Sequence, residues 1–220
     1  MVILVTNTKG GVGKSTIAVH MLAWLHSRGQ SVVFLDTDQQ KTGYDWARRA
    51  LPELPAVHES DPEEIVAKVR KLDSEYDFVV CDSPGSYSMT TTMLPILSDL
   101  AVLPLQPSDA DIDELSKALF HIQVAKQRGS KKGLDAVLVL NLTAPNDARS
   151  IRLKAKLKKL KIRVAKQPIR RLNAIRDSAK NSVVIGSKHP RSRGASKDFE
   201  KLFSEIFKKS LRTRKVAANG

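Results

Sequence analysis

Eight residues constrain this chain more than any other stretch: Lys9-Gly10-Gly11-Val12-Gly13-Lys14-Ser15-Thr16. The run before them, Val2-Ile3-Leu4-Val5-Thr6, is apolar and of strand length, and a helical pattern follows from about Ser15 to Arg28. A strand that turns through glycine into a helix makes a phosphate-binding loop. Glycine lets the backbone wind tightly and aim successive N–H groups at phosphate oxygens, and the helix N-terminus adds positive partial charge. Gly10, Gly11, Val12 and Gly13 are therefore expected to cradle phosphates with their main chain. Lys14 should reach the β- and γ-phosphates, Ser15 should ligate Mg²⁺, and Thr16 should touch the α-phosphate. The implied ligand is ATP with Mg²⁺.

The rest of the chain alternates strand and helix. Ser31–Leu35, Asp77–Asp82, Leu100–Leu105, Leu134–Leu140 and Ile162–Lys166 read as strands. Helices are expected over Gly43–Ala50, from Asp61-Pro62-Glu63-Glu64 onward, over Ile112–Arg128 and over Ser196–Arg212, with Gly29 ending the first one. This order predicts one α/β domain over residues 1–212, a doubly wound and mostly parallel sheet with helices on both faces, and a frayed tail over 213–220. In such sheets ligands sit at the carboxyl ends of strands. Asp36-Thr37-Asp38 and Asp82 fall at strand ends, as the Gly-rich loop does. Asp82 holds the place where a carboxylate helps bind Mg²⁺. Asp36 is expected to support Ser15 and the Mg²⁺ shell, and Asp38 to orient an attacking water. Pro84-Gly85 makes a backbone hinge able to sense a γ-phosphate. Lys9 puts a second ammonium five residues before Lys14, where it can stabilise charge on a transferring phosphoryl group, in its own site or in that of a facing subunit.

Charge separates the two halves. The formal net charge is +14, yet residues 1–110 hold 9 Lys+Arg against 14 Asp+Glu, whereas residues 111–220 hold 28 against 9. Such asymmetry points to a polyanion-binding surface in the second half. Its densest stretch, Arg149 to Lys161, carries Arg149, Arg152, Lys154, Lys156, Lys158, Lys159 and Lys161 around Leu153, Leu157 and Leu160. The leucines are spaced to anchor one helical face, leaving the cations outside. Arg170, Arg171, Arg191 and Arg193 extend the candidate surface. Aromatic residues are only 5% of the chain and none lies in 149–161, which argues against base stacking on single strands and for sequence-independent binding of double-stranded DNA. No apolar run is long enough to span a membrane, the start has no leader pattern, and a lone cysteine, Cys81, forms no internal disulfide, so a cytoplasmic, nucleoid-associated protein is expected.

Together these residues resemble the ParA/MinD family of deviant Walker ATPases, most closely the small plasmid-partition ParA proteins without an N-terminal DNA-binding domain. The resemblance rests on Lys9–Thr16, Asp36-Thr37-Asp38-Gln39, Phe78–Gly85 and Leu105-Gln106-Pro107-Ser108. The chain departs from the family's usual residues at Gln39, where proline is common, and at Asn181, where glycine is frequent. The resemblance implies an ATP-sandwich homodimer with Lys9 acting across the interface. It also implies slow hydrolysis stimulated by a separate centromere-binding, ParB-like or adaptor protein, and DNA binding by the ATP-bound dimer. By the same resemblance Asn141 lies near the base and Pro168 borders the adenine. The cargo is then a plasmid, a chromosome or a protein assembly positioned over the nucleoid. A MinD-like membrane-surface role is the competing expectation, because Phe199, Leu202, Phe203, Ile206 and Phe207 form an apolar stripe beside Lys208-Lys209. Packing of that stripe on the sheet is the reading preferred from sequence.

Overall fold

The computed structural model describes residues 1–86, 88–107, 109–128, 133–144, 153, 157, 162–179, 181–208 and 210–211. Strands β1 (Val2–Val5), β2 (Val32–Asp36), β3 (Ala56–His58), β4 (Phe78–Asp82), β5 (Leu100–Leu105), β6 (Asp135–Leu140) and β7 (Arg163–Val164) form one sheet in the order β3-β2-β4-β1-β5-β6-β7. Every pairing among them is parallel. The helices are α1 (Lys14–Ser27), α2 (Thr42–Ala50), α3 (Pro62–Glu75), α4 (Met89–Leu97), α5 (Asp109–Arg128), α6 (Asn173–Ser178) and α7 (Arg193–Ile206).

Side chains alternate across the sheet. In β1, Ile3 and Val5 join a core built with α1, α2 and α7, whereas Val2 and Leu4 face Ile65, Val69 and Leu72 of α3 and Leu94 of α4. Helix α5 covers β5 and β6 on the same side as α3 and α4, through Leu115, Ala118, Ile122 and Ala125. With both faces covered, β1, β2, β4 and β5 are buried along their whole length and apolar up to the carboxylates that end β2 and β4, rather than alternating. Asp61 caps α3 by accepting the Glu63 amide, with Pro62 in the first turn.

Three elements escape the sequence reading. Strand β3 is three residues long and half-buried, helix α4 has Pro95 inside it, and α6 is a single short helix. Residues 17–25 of α1 are all buried, so this helix is wrapped on every side. The apolar stripe of α7 lies in the core, with Phe199, Leu202, Phe203 and Phe207 fully buried, which removes it as a membrane anchor. No helix among the described residues is long and apolar enough to cross a membrane.

Candidate nucleotide site

Parallel pairing lines up the carboxyl ends of β1, β2 and β4. Val5 is in register with Asp82, and Asp82 with Asp36. The Gly-rich loop leaves β1 at this rim, in the middle of the sheet where β1 lies between β4 and β5. Gly13 precedes α1 with φ 93°, a left-handed conformation suited to glycine, and a Cβ there would run into Asn141 Nδ2. Asn141, at the end of β6, donates from Nδ2 to the Val12 carbonyl at 2.7 Å, so it fixes the underside of the loop. Its Oδ1 is buried without a partner among the described residues. The segment carrying Pro168 lies alongside, since the Ile169 amide donates to Leu140 O at 2.9 Å.

Two residues complete the loop's support, of which Asn7 was passed over in sequence and Gln106 lies in a stretch that carries the family resemblance. Asn7 donates from Nδ2 to the Pro104 carbonyl at 2.7 Å and accepts the Lys9 amide on Oδ1 at 3.1 Å. Gln106 donates to the Gly11 carbonyl at 2.9 Å. Asparagine is not diagnostic in sequence; the position of Asn7 just past a strand end was the available signal. Lys14 donates from Nζ to the Lys9 carbonyl at 3.0 Å, folding the ammonium onto its own loop. Burial holds its pKa below the ordinary lysine range, against the attraction of Asp82 and Asp38. Gly85 packs against the same place: a Cβ there would sit 3.2 Å from both Gly10 Cα and Lys14 Nζ.

The acidic residues divide their roles differently from the sequence expectation. Asp36 is fully buried, and its two oxygens accept backbone amides, Oδ1 from Asp38 at 2.9 Å and Oδ2 from Tyr44 at 2.7 Å. It therefore shapes the loop after β2 and the start of α2. The Ser15 hydroxyl that it was expected to support bonds Asp82 instead. Asp82 is 2% exposed, and its Oδ1 has no hydrogen-bond partner among the described residues. Burial and then the nearby Asp36 charge push its pKa up to about 8, opposed by the Ser15 hydroxyl and the Lys14 ammonium. Gly43 leaves room above the pair, because a Cβ there would lie 2.5 Å from Asp82 Oδ2 and 3.1 Å from Asp36 Oδ2. A buried oxygen lacking a donor, beside a hydroxyl and a second carboxylate, is a donor set made for a hard cation. The residues fit Mg²⁺: Ser15 and Asp82 would hold it, and it would supply positive charge opposite the phosphate oxygens.

The basic half is only partly brought to view. Leu153 and Leu157 are buried against α5 and β6 as their spacing predicts, while Arg149, Arg152, Lys154, Lys156, Lys158, Lys159 and Lys161 lie outside the described residues. Arg171, Arg191 and Arg193 are exposed. Arg170 has a structural tie of its own: its guanidinium grips Asp198 at 2.8 and 2.9 Å and donates to the Gly194 carbonyl, a brace between the segment after β7 and α7.

A doubly wound parallel sheet with this loop and these strand-end acids defines a P-loop nucleotide-binding protein. Residues 3–185 match the family described as the CobQ/CobB/MinD/ParA nucleotide binding domain, and the chain belongs to that family. It is 30% identical over 207 residues to maintenance of carboxysome distribution protein A of Halothiobacillus neapolitanus, an alignment covering 92% of this chain and 94% of that protein. Among solved structures it is similar to apo McdA from Cyanothece, with a TM-score of 0.74 at 15% identity over 93% of this chain and 98% of that one. A plasmid partition protein of Borrelia burgdorferi bound to AMPPNP aligns with a TM-score of 0.71 at 17% identity, covering 94% and 98% of the two chains.

Proposed function

We propose that this chain is a Mg²⁺-dependent ATPase that positions a cargo over DNA, with ATP governing both its dimerisation and its hold on the duplex. The observation that carries the reading is the buried Asp82 oxygen, without a hydrogen-bond partner among the described residues, set beside Ser15 and Lys14 at the mouth of the phosphate loop. Gly10, Gly11, Val12 and Gly13 cradle the phosphates, and Lys14 swings from the Lys9 carbonyl to the β- and γ-phosphates. Gly85, packed on Gly10 and Lys14, registers the γ-phosphate. Asp38 orients the attacking water, and Lys9 stabilises phosphoryl charge in the site of a second copy closed face to face.

Closure doubles the basic surface of the second half, where 28 Lys+Arg stand against 9 Asp+Glu, so DNA affinity follows ATP occupancy through valency. Arg171, Arg191, Arg193 and the cations of 149–161 are the contacts. A separate adaptor stimulates hydrolysis and links the cargo. Similarity along nearly the full length of a carboxysome-distribution protein favours a protein assembly as cargo, and the likeness to a Borrelia partition protein keeps a plasmid as the second reading.

The test is sedimentation with a 60-base-pair duplex at several salt concentrations, with a non-hydrolysable ATP analogue or ADP. The reading expects a dimer and salt-sensitive binding with the analogue alone. Equal binding in both nucleotide states, or monomers on DNA, would overturn it.

A further inference from the structure

The geometry points to His58 as the residue that positions Asp38, a role that rests on the reading of Asp38 as the group orienting the attacking water. His58 closes the edge strand β3, in register with Asp36. Its Nε2 lies 2.9 Å from the Asp38 carbonyl oxygen. A carbonyl can only accept, so Nε2 carries the proton and donates it. The same carbonyl accepts the Lys41 amide at 3.0 Å, which closes a tight turn over residues 38–41. Lys41 itself has φ 56°, an uncommon left-handed conformation for a side-chain-bearing residue.

The Asp38 loop is therefore held at several points. Its amide is fixed by Asp36 Oδ1, its side chain accepts the Gln40 amide on Oδ1 at 3.0 Å, and its carbonyl is held by Lys41 and His58. The first three anchors are local, within three residues of Asp38. Asp36, at the end of β2, and Thr37, whose amide and hydroxyl donate to the Asp82 carbonyl at 3.0 and 2.8 Å, tie the stem of the loop to the sheet. Among the described residues, His58 is the contact to Asp38 itself that comes from far along the chain, twenty residues away, and it ties the far side of the turn to β3. Tyr44, at the start of α2, stands edge-on to the imidazole with ring centroids 6.3 Å apart and limits its rotation. Strand β3 has only three residues; its last one reaches back over the end of β2 and sets the height of the Asp38 loop above the rim. Small displacements of a water-orienting carboxylate slow the chemical step without weakening nucleotide binding.

The test compares His58→Phe, which keeps a ring beside Tyr44 and loses the donor, with His58→Gln, whose amide donates from nearly the same place. Single-turnover ATP hydrolysis and ATP affinity are measured for both, alone and with Asp38→Asn. The expected result is a fall of about tenfold in turnover for His58→Phe at unchanged ATP affinity and melting temperature, substantial recovery in His58→Gln, and no further loss when His58→Phe is added to Asp38→Asn. Wild-type turnover in His58→Phe with a slow Asp38→Asn would overturn the His58 role alone. So would an equal loss in both His58 variants. Wild-type turnover in Asp38→Asn would remove the Asp38 reading and this one with it.

Discussion

His20 offers the sharpest test of the packing described above. It lies in α1, fully buried, stacked on Phe199 with centroids 4.3 Å apart and edge-on to Trp46 at 5.5 Å. The Val184 amide points at Nε2 from 3.1 Å and must donate, so Nε2 accepts and the ring proton sits on Nδ1, 2.8 Å from the Thr16 carbonyl. The neutral ring satisfies both neighbours, and a second proton on Nε2 would confront an N–H. Burial pushes the pKa down to about 4 from 6.5, with the Thr16 carbonyl opposing. Because the folded pKa lies below the unfolded one, the contribution is complete above pH 6.5 and is lost as pH falls through 4. Between pH 8 and pH 5 the loss is about 2 kcal/mol, approaching about 3 kcal/mol below pH 4. Urea unfolding of the wild type and His20→Gln across pH 5–8 isolates this, since every other titrating group is common to both and cancels in the difference. The variant should be the less stable at pH 8, and the gap should close by about 2 kcal/mol at pH 5. A gap that stays constant across that range would refute the assigned tautomer and its burial cost.

Other outcomes follow from the rim of the sheet. Asp82→Asn removes a carboxylate whose ionised form burial disfavours. Without Mg²⁺ at pH 8 it should melt above the wild type, by about 2 kcal/mol or more, and it should lose the stabilisation that Mg²⁺–ATP gives, both read by thermal melts. Wild-type stability in this case falls as pH rises toward 8, because the folded carboxyl holds its proton where the unfolded one has released it. Gly43→Ala places a methyl against Asp82 Oδ2 and Asp36 Oδ2 and should cost about 2 kcal/mol in stability and weaken Mg²⁺–ATP binding at least tenfold, measured by calorimetry. Arg170→Ala takes the guanidinium from buried Asp198 and leaves it only the longer bonds from the residue-170 amide and Gln167 Nε2; with Arg170 itself 39% exposed the loss should be about 1 kcal/mol, while DNA affinity of the folded protein changes less than in Arg191→Ala.

The elements legible in sequence were those whose local chemistry and tertiary role agree. Glycine, lysine and serine in the order 10–15 fix a loop regardless of what surrounds it, and five apolar runs became strands at nearly the expected bounds. Strand β3 was hidden because three half-buried residues carry no period and follow two prolines. Helix α4 was hidden by three consecutive threonines and an internal proline, which its Ser88–Thr91 capping box and its packing through Leu94 override. At the site, residue types located Asp82 and Lys14 but could not say which carboxylate meets Ser15. That depends on the β2–β4 register, a long-range pairing. Arg170 looked like one more surface cation because Asp198, its partner, is 28 residues away.

Enclosure of α1 has a mechanical consequence. A helix gripped on its whole circumference cannot roll or slide without disturbing the packing on both sides of it, so the phosphate loop at its head behaves as a fixed anvil. Whatever travel accompanies nucleotide arrival and hydrolysis must then be taken up by the strand-end segment around Gly85, which faces that anvil.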